Sequence, residues 1–222
     1  MNDLQKQTIK AIVNVFETGK IKGDYGAVAV LPGDSGHLSY GRSQATLGGG
    51  SLFSVLEDYC GRAGAQFADG LKAYLPRVQG KDFTLDHDAG FRGLLKQAGG
   101  DPVMQAAQDN FFDRAYFLPA CQSAEAMGIV SALGVAVAYD GCIQGGWARL
   151  KSQLPAVAEA GGERNWIARY VALRRAWLVS RGAPLAATAY RMDAFAGLIA
   201  LGNYDLALPV AVHGTTITAD NL

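Results

Sequence analysis

Ile9, Ile12, Val13 and Phe16 fall at i, i+3, i+4 and i+7, the spacing of one helix face, and Gly19 can end that helix just after Glu17. Residues 25–31 form a short, Val-rich apolar run, and alternation resumes from residue 38 to 41 behind the turn-forming Gly33-Asp34-Ser35-Gly36. This predicts a small antiparallel sheet with Asp34 at its turn. Gly48-Gly49-Gly50 then breaks the chain before a stripe of Leu52, Val55, Leu56 and Tyr59, a helix for which Ser51 is the expected cap. Residues 76–102 are the most interrupted stretch, carrying Pro76, Gly80, Gly90, Gly99, Gly100 and Pro102, and are expected to connect two lobes. Beyond them the periodicity predicts helices over roughly 103–117, 119–127, 129–143, 164–181 and 187–201, and the Thr- and Val-rich tail from 206 to 222 reads as extended or loosely packed. The sum is a mainly α (α+β) chain, a single domain over 1–222 with two lobes and one small sheet.

With 222 residues, half of them hydrophobic, the chain can bury a substantial core. Its 20 basic and 20 acidic residues balance without long runs of either sign, so no nucleic-acid footprint is visible. Cys60, Cys121 and Cys142 lie singly in apolar helical patterns and read as buried thiols. The N-terminus runs straight into an amphipathic pattern without the apolar stretch of a secretory signal, and no segment has the length of a membrane span.

The candidate chemistry starts from Glu17 and Asp34, one at a helix end and the other in a Gly-rich turn. Two carboxylates in such different settings suit an acid and a base that act on one glycosidic bond. Gly33-Asp34-Ser35-Gly36 also matches the nucleophile box of trypsin-like proteases, but His37, His87 and His213 all follow Ser35, the wrong order for that triad, and the helical pattern contradicts a double β-barrel. The three histidines are too scattered for a local metal motif, and the Gly48–Gly50 run lacks the Lys-Ser/Thr of a phosphate loop. No cofactor is indicated.

Three blocks carry a family resemblance. Asn14-Val15-Phe16-Glu17-Thr18-Gly19 with Gly33-Asp34-Ser35-Gly36-His37-Leu38-Ser39-Tyr40-Gly41 is the first. Ala107-Gln108-Asp109, Asp113-Arg114-Ala115-Tyr116-Phe117, Ala132-Leu133-Gly134 and Ala138-Tyr139-Asp140 form the second, and Arg191-Met192-Asp193 with Gly202-Asn203-Tyr204-Asp205-Leu206 the third. Together, and in this order, they resemble the chitosanases of glycoside hydrolase family 46, in the lysozyme-like superfamily. The resemblance implies a two-lobed lysozyme-like fold with the sheet beside an active-site cleft. Glu17 would be the general acid, with neighbours such as Phe16 raising its pKa. Asp34 would be the general base, about 6.5 to 9.5 Å away, and the outcome would be inversion. Ser39 stands where the family has a Thr that helps to hold the water. Arg114, Asp140 and Arg191 match positions that brace the cleft through ion pairs, and Tyr40 and Ser51 are candidate substrate contacts.

Ser51 is also the main departure. It stands where those chitosanases place an Asp against a substrate ammonium group, and residues 28–32 contain no acid. A site without that carboxylate loses the charge-assisted bonds that select a cation. The resulting expectation is a peptidoglycan glycan-strand hydrolase, muramidase-like, with chitosan as the alternative substrate and a non-catalytic glycan-binding module as a reading from another class. A wall-lytic enzyme with no signal would be made in the cytoplasm and delivered to the periplasm or outside by a phage or a secretion system, where delivery machinery or an immunity protein would be its partners.

Overall fold

The computed structural model describes every residue except Pro32 and Ser43. In chain order it runs α1 (Asp3–Thr18), β1 (Val28–Ala29), β2 (Ser39–Tyr40), β3 (Ala45–Thr46), α2 (Ser51–Cys60), α3 (Ala68–Lys72), α4 (Leu75–Gln79), a 3-10 turn (Phe83–His87), α5 (Ala89–Ala98), α6 (Pro102–Phe112), a π-helical turn (Asp113–Phe117), α7 (Leu118–Glu125), α8 (Ala132–Ile143), α9 (Trp147–Lys151), α10 (Glu163–Ser180), a 3-10 turn (Leu185–Ala189), α11 (Tyr190–Ala200), β4 (Val210–Val212) and β5 (Thr215–Ile217). These elements group into two compact units, the first from Met1–Lys22 with Tyr116–Leu222 and the second from Gly23–Ala115.

In the first unit α1 opens on a reciprocal cap. The Asn2 side chain accepts the Gln5 N–H at 2.8 Å, and Gln5 Oε1 accepts the Asn2 N–H at 2.9 Å, so two of the helix's orphan donors are satisfied. Gly19 closes it in the left-handed conformation, φ 71°, which a glycine adopts without a Cβ clash. The face of Ile9, Ile12, Val13 and Phe16 is buried, as its spacing predicts, and α1 packs along α8. That central helix is buried on nearly every side, so it shows no polar stripe. It is approached closely enough that a Cβ on Gly134 would come within 2.4 Å of Ile129 and 2.8 Å of Ile167. The tail is not loose. Strands β4 and β5 pair antiparallel, Val210 opposite Ile217, across His213 and Gly214 at φ 48° and 76°, the left-handed pair of a tight hairpin turn. Val210, Val212 and Ile217 are buried, and β5 lies against α1.

In the second unit β1, β2 and β3 form an antiparallel sheet, with Ala29 opposite Ser39 and Ser39 opposite Thr46. Leu38 and Tyr40, two residues apart, turn to the same side and join a core with Leu52, Val55, Leu56, Tyr59, Phe91 and Leu95. Gln108 on α6 ties the sheet's ends together, donating to the Tyr25 carbonyl at 2.9 Å and accepting the Arg42 N–H at 3.2 Å. Gly41 leaves room for it, since a Cβ there would sit 2.1 Å from Gln108 Oε1.

Residues 76–102 lie wholly inside this second unit rather than connecting two lobes; the chain passes between the units at 22–23 and 115–116. Their Gly and Pro residues punctuate short helices. Pro76 and Pro102 sit in first turns, and Gly80 and Gly99 cap C-termini, the positions each residue type favours. The helix expected from 103 to 117 changes to a π-helical turn at Asp113, just before α7 begins with Pro119 in its first turn. Of the three thiols only Cys60 is buried; Cys121 and Cys142 are half-buried, and all are free.

Candidate active site

Glu17 closes the last turn of α1 in the first unit with its side chain 38% exposed. Phe16 does not supply the apolar setting expected for it. Its ring turns into the core, edge-on to Tyr190 at 5.8 Å and to Phe195 at 5.5 Å. Glu17 instead meets Arg191, whose Nη1 lies 2.8 Å from Glu17 Oε1 and 2.9 Å from Asp140 Oδ1. Arg191 also donates to the Phe16 carbonyl at 3.2 Å. Oε2 of Glu17 has no partner among the described residues.

Behind this contact is a buried ion network. Asp140 on α8 and Arg174 on α10 are both fully buried and hydrogen-bonded to each other through Asp140 Oδ2 and Arg174 Nη1. Arg174 Nη2 continues to Gln144 Oε1 at 2.9 Å and the Gly145 carbonyl at 3.3 Å. Burial pushes the Arg191 guanidinium down, but Asp140 and then Glu17 more than offset it, and its pKa lies above the ordinary value. With Glu17 ionised, two cations face two anions and the cluster is neutral as a set, which is what makes a buried group of charges tolerable. The sequence pointed to Asp140 and Arg191 and missed Arg174, because α10 carries four arginines along its length and nothing in its pattern marks one of them as buried.

Asp34 belongs to the second unit and sits exposed in the turn between β1 and β2. Its Oδ1 accepts the Gly36 N–H at 3.0 Å, and its carbonyl accepts the His37 N–H at 3.1 Å, an Asx-type turn that fixes the residue locally. It borders a cavity of about 690 Å3 that is also lined by His37, Asp86, His87 and Arg92. Asp86 is buried and takes two bonds from the turn, from the Leu38 N–H at 2.8 Å and from His37 Nδ1 at 2.8 Å. Arg92 donates to the Asp86 carbonyl at 3.4 Å and makes no ion pair among the described residues. None of His37, Asp86, His87 or Arg92 was singled out as a site residue from the sequence, because their convergence joins a turn to a segment some fifty residues on, with no local signature.

Four expected site residues are placed differently. Tyr40 is fully buried in the second unit's core, where burial holds its phenol well above the usual range, so it has no surface to offer a substrate. Alternation across a two-residue strand turns it inward beside Leu38. Ser39 is 7% exposed, with Oγ 2.8 Å from Gln44 Oε1 and 3.3 Å from the Ala29 carbonyl, so its proton serves the sheet. Arg114 is a surface residue, 65% exposed and 3.9 Å from Asp58, a loose pair of little energetic weight rather than a brace. Ser51 is half-buried at the start of α2 and is not its cap. Gly50 holds that position, and Ser51 Oγ accepts the Thr46 N–H at 2.7 Å. Among the described residues no group of His, Cys, Asp and Glu has the arrangement of a metal centre.

Comparison with known proteins bears on the reading. The profile of glycosyl hydrolase family 46 matches residues 11–210. A chitosanase of Bacillus subtilis (strain 168) is 32% identical over 150 residues, which is 66% of this chain and 53% of the relative, so the matched stretch spans about half of that relative's length. A native chitosanase of Bacillus subtilis MY002 superposes with a TM-score of 0.77 at 25% identity, covering 98% of this chain and 100% of the other. A mutant chitosanase from the same source, complexed with 6 GlcN, gives 0.78 at 24% identity with the same coverage. A chitosanase of Gynuella sunshinyii in complex with chitotetraose gives 0.76 at 24%, covering 98% of each chain.

Proposed function

This chain belongs to glycosyl hydrolase family 46, and on that premise we propose that it is an endo-acting glycosidase that hydrolyses a β-1,4-linked amino-sugar polymer with inversion, chitosan being its first substrate. The observation that carries the reading is the family match itself, which runs from residue 11 to 210 and takes in both Glu17 and Asp34. The sequence put bacterial wall glycan ahead of chitosan; the relatives, described as chitosanases, support the reverse order.

Glu17 acts as the general acid. Arg191 fixes its carboxyl group through Oε1 and leaves Oε2 as the oxygen to carry the proton given to the leaving group. Asp34, held ready as an acceptor by its own turn, takes a proton from the attacking water on the opposite face of the sugar ring. Asp140 and Arg174 reach the chemistry only through Arg191, so they position rather than react.

Wall glycan remains as a second reading because of a specific feature. Ser51 supplies no carboxylate and residues 28–32 contain no acid, so the charge-assisted bonds that select a cation are fewer here than in a site built for a polycation, while the cavity beside Asp34 carries both signs, Asp34 and Asp86 with Arg92. Digestion of chitosan and of purified peptidoglycan in parallel, with mass analysis of the products, tests both. Chitosan oligomers are the expected result. Cleavage of peptidoglycan alone would promote the second reading, and binding without cleavage of either would make the chain a glycan-binding module.

A further inference from the structure

We propose that Asp86 is the positioning residue of the catalytic base, its buried carboxylate gripping the turn that carries Asp34. The proposal rests on the assignment of Asp34 as that base.

Asp86 lies in the 3-10 turn Phe83–His87 and is 6% exposed. Burying a carboxylate is costly unless its oxygens are well bonded, and here both are given to the Asp34 turn. Oδ1 accepts the Leu38 N–H and Oδ2 faces His37 Nδ1, each at 2.8 Å. A carboxylate can only accept, so His37 carries its proton on Nδ1. His37 in turn sits at φ 55°, a left-handed conformation that is uncommon for a residue other than glycine. What holds it there is the bond to Asp86 and a stack on Phe83, with ring centroids 3.5 Å apart and 6° between planes. From the far side, the Gly48 N–H donates to the Gly36 carbonyl at 2.9 Å and the Leu47 N–H to the Leu38 carbonyl at 2.8 Å. The turn is therefore gripped on both sides, and Asp34, otherwise an exposed residue on a short loop, is fixed at the rim of its cavity. A position that served packing alone would have no need of a charge there.

The test compares Asp86→Ala, Asp86→Asn, His37→Val and His37→Asn with Asp34→Asn, on whichever polymer the wild-type chain cleaves and well below the melting midpoint of each variant. A base displaced by about 1 Å costs on the order of 10²-fold in rate, so Asp86→Ala should lower kcat by about that factor while KM stays within about threefold. His37→Val cannot hold the left-handed backbone and should fall similarly. His37→Asn tolerates that conformation and can donate to Asp86, so it should recover most of the rate. Nitrogen-15 spectra of the wild-type imidazole should show Nδ1 protonated. A purely structural Asp86 would lower the melting temperature and leave kcat of the folded enzyme unchanged, and that result overturns the proposal; so does a change confined to KM. Should Asp86→Ala fail to fold, Asp86→Asn and His37→Val decide by the same kcat criterion. Inactive Asp34→Asn beside unimpaired Asp86 variants refutes the positioning role alone, whereas a fully active Asp34→Asn removes the base assignment and this role together.

Discussion

Replacing Asp140 by Asn separates the structural from the chemical part of the acid's surroundings. The substitution preserves shape but leaves the guanidinium groups of Arg174 and Arg191, 0% and 5% exposed, facing an amide that can accept on one side and only donate on the other. Breaking a buried ion pair by removing one partner costs about 3 to 5 kcal/mol. At roughly 2 to 4 °C of melting temperature per kcal/mol for a chain of this size, the midpoint should fall by about 6 to 20 °C. Glu17→Gln touches the same network at its 38% exposed edge, where solvent screening limits the loss to about 1 kcal/mol, or at most about 4 °C. The assay can be local, because Trp147, Trp166 and Trp177 are the chain's three tryptophans and all lie in the first unit, so fluorescence melting reports on the unit that contains the change. Asp140→Asn should therefore be strongly destabilised, and Glu17→Gln should be nearly as stable as wild type but without turnover. Equal stability losses in the two variants, or an Asp140→Asn midpoint within about 3 °C of wild type, would refute the network argument.

Ser51→Asp should move the ratio of kcat/KM values toward chitosan, with up to about 1.5 to 3 kcal/mol available from one charge-assisted bond; an unchanged or opposite ratio would detach Ser51 from substrate selection. Tyr40→Phe should leave kcat/KM within about twofold, because the lost hydroxyl lies inside the core and not against a glycan; a large rise in KM would contradict the inward placement. Burial works against the charge on Asp101, but Tyr59 Oη at 2.7 Å and the N–H groups of Val103 and Gln66 at 2.9 Å each hold its carboxyl below the usual range. A depressed folded pKa means stability that is fully present above the unfolded value near about 3.9 and lost as pH falls through the folded value. Urea titrations should accordingly show Asp101→Asn weaker than wild type at neutral pH, with the gap closing in acid; a gap constant with pH would refute the linkage.

What the sequence made legible follows the range of the interactions concerned. The first helix was readable because Ile9, Ile12, Val13 and Phe16 repeat within about two turns and Gly19 ends them, all local facts. The position of Asp34 was readable for the same reason, since its Gly-flanked turn is built from neighbours. Tyr40 was misread because strands of two residues give alternation too little length to reveal which face is inside. Pro76, Gly80, Gly99 and Pro102 suggested a break, yet each lies at a helix end, where punctuation and connection look alike in one dimension. The His213-Gly214 hairpin was hidden by a tail whose polar and apolar residues mix. Least legible were the long-range pairs: Asp86 with His37, Arg174 with Asp140, and Arg191 with Glu17 join positions 49, 34 and 174 residues apart. Composition and periodicity carry no trace of such pairings, and of their members the family resemblance pointed to Glu17, Asp140 and Arg191.

The central claim is that Glu17 and Asp34 act as acid and base on opposite faces of one β-linked sugar, and product stereochemistry tests it most directly. Proton NMR taken within the first minutes of digestion, before mutarotation scrambles the anomers, should show the new reducing ends appearing in the α configuration. Initial β product would mean retention through a covalent intermediate and would contradict the roles assigned to both carboxylates.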